Sequence, residues 1–279
     1  MSEPKIAPLT LLPAGAAIKS DPWTRIQVSG VPRFDDGEAV LAQWPRLHAG
    51  QGEFAPPSSG ELLEGWVLYH SGDFERAATI GLQHGGSEGL ALANRATAIY
   101  ANYVEPREAV RLALFRHVAE RAAAQAEQEP GNCQAHYWHA YALGRYSQGV
   151  SVARALAQGL GGKVKDALEH VIEQQPKHAD AHLALGAFHA EVIDKVGALV
   201  GRMTYGARPE AAIECFERGL ELNPHSPGGL MEYAHGLQML YGEARHAEAT
   251  RLFERAAAHV PADARERLDV ELARSALAD

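Results

Sequence analysis

The sequence predicts an all-α fold, about five antiparallel helix pairs wound into a superhelix, and three observations carry that expectation. Four helix-like stretches close on a proline, AEQEP at Pro130, VIEQQP at Pro176, GLELNP at Pro224 and AAAHVP at Pro261, so the prolines fall 46, 48 and 37 residues apart. Each interval has room for a two-helix repeat, which needs about 34 residues. The registration repeats as well: eight residues before the last three prolines stand Leu168, Phe216 and Phe253, and ten after the first three stand Ala140, Gly186 and Ala234. A large apolar residue on one helix against a small one on its neighbour is what closely packed antiparallel helices require. Finally, 279 residues of 46% hydrophobic content can bury a long core.

Residues 1–58 are rich in Pro and Gly, end in EFAPPSSG and offer one short helix in GEAVLAQWPRL around Trp44, so an irregular N-terminal arm is expected there. Trp23, Ile26, Val28 and Phe34 make it more apolar than a free tail needs, which favours packing along the repeats. The repeat domain is expected over 59–261. Its first pair lies in ELLEGWVLYHSGDFERAATIGL, with Leu62, Trp66 and Tyr69 before a Gly72-Asp73 break and Phe74, Ala77 and Leu82 after it. The second runs from Ala91 to Val104 and on from Pro106, where proline suits a first helical turn. Three more pairs end at Pro176, Pro224 and Pro261. Residues 262–279, with ARERLDVELARSAL, read as an amphipathic helix polar enough to cap the stack.

With these residues in view, the chain resembles the tetratricopeptide repeat (TPR) family over roughly residues 59–261. ADAHLALGAFHAEV and AAIECFERGLELNP look like its first and second helices, and GDFERA like its interhelix turn. The third and fourth pairs depart from the common length by extra segments between their helices, QGVSVARALAQGLGGKV and EVIDKVGALVGRMTYGARPE. Such Gly-containing apolar extensions, each after an AHYWHAYALG or AHLALGAFHA helix, look like the regulator of microtubule dynamics family and its bacterial relatives. They also look like the T-component proteins of tripartite periplasmic (TRAP) transporters, which implies an apolar hollow through the stack.

Several function classes find no foothold. A net charge of -9 argues against a nucleic-acid partner. Cys133 and Cys215 have no CxxC spacing and read as small apolar residues. His136 with His139 and His178 with His182 share helix faces but lack further ligands, so no metal is expected. GxSxG, P-loop and strand-borne GxGxxG motifs are missing, and neither an enzyme activity nor a cofactor is expected. Without a membrane span, and with Pro8 and Pro13 interrupting the first apolar run, the expected location is the cytoplasm.

The expected function is therefore binding, with two candidate sites. The TPR resemblance places a concave groove for a protein or peptide on Tyr137, Tyr141 and Arg145, on Asp180, Leu183, Ala187 and Glu191, and on Met231, His235 and Gln238, with Tyr100 and Tyr103 extending it. Tyrosine and arginine are residue types that anchor peptides. The alternative is a carrier of an apolar small molecule between the extensions. In the second of them Val192, Val196, Leu199 and Met203 recur at helical spacing, and both extensions are expected to lengthen the first helices of their pairs. Either these pack solidly on each other, or Gly159, Gly161, Gly162, Gly197 and Gly201 leave a cavity near Leu156, Leu160, Val196, Leu199 and Met203.

Overall fold

The computed structural model describes residues 33–278; Trp23, Ile26 and Val28 lie outside the described residues. No strand occurs among the described residues. Helix α1 (Gly37–Leu47) belongs to the arm. Five helix pairs follow: α2 (Gly60–Ser71) with α3 (Phe74–His84), α4 (Gly86–Tyr103) with α5 (Glu108–Gln128), then α6 (Cys133–Gln148), the short α7 (Val152–Ala157) and α8 (Leu160–Gln174) as the third unit. The fourth comprises α9 (Ala179–Val196), α10 (Ala198–Tyr205) and α11 (Pro209–Leu222), the fifth α12 (Pro227–Tyr241) and α13 (His246–Ala257), and α14 (Ala264–Ala276) follows.

The repeating prolines have a specific local use. Each stands just past the end of a second helix, and two residues later comes the side chain that caps the next first helix. Asn132 accepts from the backbone N–H of Ala135 at 3.1 Å, His178 Nδ1 from Ala181 at 3.1 Å, Ser226 Oγ from Gly229 at 3.0 Å and Asp263 Oδ1 from Glu266 at 2.8 Å. Proline stops one helix because it has no N–H to continue it, and the cap starts the next at about 1 kcal/mol each. The large residues in register, Leu168, Phe216 and Phe253, are all buried, as are Ala140 and Ala234. A Cβ on Gly186 or Gly236 would stand 2.9 or 2.5 Å from the Phe216 ring, so the two glycines admit that ring between α9 and α12.

The first extension does not lengthen its first helix, as the sequence suggested, and the second does so only as far as Val196; beyond those points they form separate short helices. In the third unit α6 ends at Gln148 and Ser151 starts a new helix by accepting from Arg154 N at 3.3 Å. In the fourth, Gly197 takes φ +83, a left-handed conformation that costs glycine little, and α10 leaves at a new angle. The helical spacing of Val192, Val196, Leu199 and Met203 is thereby cut, and Leu199 and Met203 are exposed at 72% and 80%.

The two ends of the superhelix meet. Trp44 of α1 is buried edge-on to Trp66 of α2, with ring centroids 5.4 Å apart, and its Nε1 donates to Phe54 O at 2.8 Å. Phe34, as expected of the arm, is buried too. From the other end, Ala264 and Leu268 of α14 join the apolar cluster that contains Trp66 and Tyr69. His70 Nδ1 lies 2.8 Å from Asp263 Oδ2, and Arg46 holds Glu266 through contacts of 2.6 and 2.9 Å. Beyond α1 the arm continues to the fourth pair, where Gly50 O accepts from Asp180 N at 2.8 Å and Gln175 Oε1 accepts from Glu53 N at 3.3 Å.

Candidate ligand-binding site

Arm and α14 together cover part of the inner side that the first helices would otherwise present. What they leave is a cavity of about 180 Å³, open on one side, between α6, α9, α12, α14 and the inserted helices. One wall is apolar, with Val150, Val152 and Leu156 from the first insertion, Val164 and Leu168 of α8, and Phe188, Val192 and Val196 of α9. The opposite end is polar, carrying Tyr103, Tyr137, Tyr141, Arg145, Asp180, Glu232, Arg265 and Asp269.

The polar end is a network of buried and half-buried ionic and phenolic groups. Arg145 pairs with Glu232 at 2.5 Å and lies 5.4 Å above the Tyr141 ring. Tyr103 donates to Asp269, while Gln148 donates to Glu191. Burial pushes the Asp269 carboxyl up to about 6 against the pull of Arg265 and Tyr103, and burial likewise raises Glu191. The phenols of Tyr103 and Tyr137 are held neutral by burial, well above their usual range. Arg265 reaches Asp180 and Asp269 only at 3.9 Å.

The structure brings together residues from both sequence-derived sets. Tyr103, Tyr137, Tyr141, Arg145, Asp180, Leu183, Ala187, Glu191 and Met231 line this one cavity with Leu156 and Val196. Tyr100 is turned to Glu105, to which its hydroxyl donates at 3.4 Å. His235 and Gln238 are exposed, and the His235 ring packs edge-on against Phe253 with centroids 5.1 Å apart. Leu160 is buried in the core rather than in the lining, and the exposed Leu199 and Met203 do not reach it. Arg265 and Asp269 were missed because α14 reads in sequence only as a cap; their i, i+4 spacing on a polar helix carries no sign that the helix returns to the inner wall.

The histidine pairs have other occupations. His136 and His182 each sit with Nε2 3.0 Å from the carbonyl of the proline six residues earlier, and His139 Nδ1 lies 2.9 Å from Ala119 O. His178 is the α9 cap. Cys133 is buried and Cys215 half-buried.

Comparison with solved structures carries the fold. A thermophilic TPR protein of Thermus thermophilus superposes with a TM-score of 0.55 at 18% identity, over 77% of this chain and 97% of that one. A monomeric mutant of IFIT1 with Gppp-AAAA gives a TM-score of 0.40 at 17% identity, over 72% of this chain and half of its own. No protein-family model matches the chain, and no curated protein matches it by sequence. The chain thus has an all-α, TPR-type superhelical fold, and no helix among the described residues is long and apolar enough to cross a membrane.

Proposed function

We propose that this chain is a non-enzymatic binding protein whose ligand is a small molecule with an apolar body, held in the cavity between the inserted helices and α14. The observation that carries the reading is the lining: the insertions that depart from the common repeat length contribute an apolar wall to a cavity of about 180 Å³. An apolar engineered cavity of about 150 Å³ takes up benzene. The space therefore suits one ring or a short alkyl chain. Ligand pockets are mostly apolar with a few placed polar groups, which is the division between the two ends here.

A protein or peptide partner in the concave groove is supported by the TPR-type architecture. It is less well supported by this chain's inner side, because the arm and α14 occupy the surface between the first and fourth pairs. The T-component resemblance, with its apolar hollow, points the same way as the cavity. The test is denaturing extraction of protein purified from its native host, followed by mass spectrometry. A stoichiometric small molecule that is absent from a Gly144→Phe variant is the expected result. Gly144 lines the cavity and a Cβ there meets no atom within 4 Å, so the new side chain starts into open space at the cavity wall. Equal recovery from both proteins contradicts the reading.

A further inference from the structure

We infer that the ligand's polar end is a cation, so that the cavity takes a small amphiphilic amine with its ammonium on Asp180. This rests on the proposed small-molecule reading of the cavity. Asp180 is the decisive residue. Its side chain is only 9% exposed, yet among the described residues no group donates a hydrogen bond to its carboxylate; the one cation in range is Arg265, at 3.9 Å. A buried carboxylate ordinarily has closer partners, because leaving a charged acceptor unsatisfied costs more than the bond it lacks. Asp180 lines the cavity with its carboxylate packed against Gly50 of the arm, and Tyr137, whose hydroxyl has no hydrogen-bond partner among the described residues, lines it too.

The charge balance around it has the same sign. Four carboxylates line the cavity, those of Asp180, Glu191, Glu232 and Asp269. Against them stand Arg145, which Glu232 already engages, Arg265 shared loosely between two aspartates, and Lys195, which is exposed. An entering carboxylate would meet an acidic excess, whereas an ammonium would supply the donors that Asp180 lacks. Aromatic surface is at hand as well: Tyr137 and Tyr141 have ring centroids 6.3 Å apart, and tyrosine faces attract cations. The apolar body then lies along Leu156, Val164, Phe188 and Val192.

Three probes of one length separate the inference from the reading it rests on: hexylamine, hexanol and hexanoate, titrated calorimetrically into the full chain at pH 7.5 in low salt. The expected order has hexylamine at least about tenfold tighter than hexanol and hexanoate weakest, since a hydrogen bond to a charged group is worth roughly tenfold or more. Asp180→Asn, isosteric and still polar at the first turn of α9, should abolish the preference, bringing hexylamine down to the affinity that the same variant shows for hexanol. Gly144→Phe should remove all three. Equal binding of amine and alcohol to the wild-type chain, or an amine preference that survives Asp180→Asn, overturns the cationic assignment and leaves the cavity reading standing. Failure of all three to bind overturns both.

Discussion

At the scale of single residues the protein depends on imidazoles kept neutral. Gln51 Nε2 lies 3.0 Å from His48 Nδ1, His48 Nε2 lies 3.3 Å from His70 Nε2, and His70 Nδ1 lies 2.8 Å from Asp263. One proton arrangement satisfies the whole row: Gln51 donates to His48, His48 to His70 and His70 to the carboxylate, with both rings uncharged. Burial is the main reason that both histidines titrate below their usual range. His178 is pushed down to about 4 by burial, and its Nδ1 must stay unprotonated to cap α9. Because these folded-state values lie below the unfolded one of about 6.5, the unfolded chain binds more protons at mildly acid pH. Their stabilisation is complete above pH 6.5 or so and is lost as the pH falls from there towards about 4. The carboxyls of Asp269, Glu191 and Glu75 have the opposite sign, as their raised values return stability on acidification, but they are set against these three rings and against His136, His182, His189 and His235, which burial also lowers. Urea unfolding midpoints should therefore drop markedly between pH 7.5 and 5, and the drop should shrink in His178→Asn. A midpoint that holds or rises on acidification contradicts the assignment. Phe216 offers a second residue-scale prediction: it is fully buried between two glycines that leave it no room to be replaced by a neighbour, so Phe216→Ala should cost about 3–5 kcal/mol in denaturant unfolding.

At the scale of elements, the sequence displays the helix pairs well and the insertions poorly, and the difference is physical. Proline at the end of one helix and a capping side chain two residues on are local signals, and both can be read from Pro130 with Asn132 or Pro224 with Ser226. Leu168 and Phe216 could be placed in the core because their partners recur at fixed offsets. The insertions also carry local breaks, but Gly197 sits inside an unbroken apolar periodicity, and its positive φ is a tertiary outcome that periodicity does not encode. Counting Val192, Val196, Leu199 and Met203 as one face therefore joined residues that the chain separates. Gly197→Ala tests this directly. A Cβ there meets nothing within 4 Å, so the only penalty is the positive-φ, extended-ψ backbone that essentially only glycine adopts, and unfolding stability should fall by about 1–3 kcal/mol. A neutral or stabilising result would mean that α9 and α10 run on as one helix.

At the scale of the whole molecule, the consequential feature is that α14 returns to the first repeat. An open array would expose one continuous inner groove, whereas here His70 with Asp263, Arg46 with Glu266 and the arm crossing to Asp180 close it down to one cavity. This long-range closure is the part of the site that the sequence concealed. Tyr103, Tyr137, Tyr141, Arg145 and Asp180 could be placed on the inner wall by repeat registration, but Arg265 and Asp269 arrive from more than 80 residues beyond Asp180 along the chain. Truncation after Pro261 should therefore unmask amide exchange in α1 and α2 while the fourth pair stays protected through its packing on α12. Uniform loss of protection would show instead that α14 is needed for the fold as a whole. The central claim, that the cavity between the inserted helices is a binding site, is tested most directly by thermal unfolding of the wild-type and Gly144→Phe chains with and without excess hexylamine. A concentration-dependent rise in Tm is expected for the wild type alone, with the variant folded and indifferent to the probe. A rise of equal size in both proteins, or in neither, contradicts it.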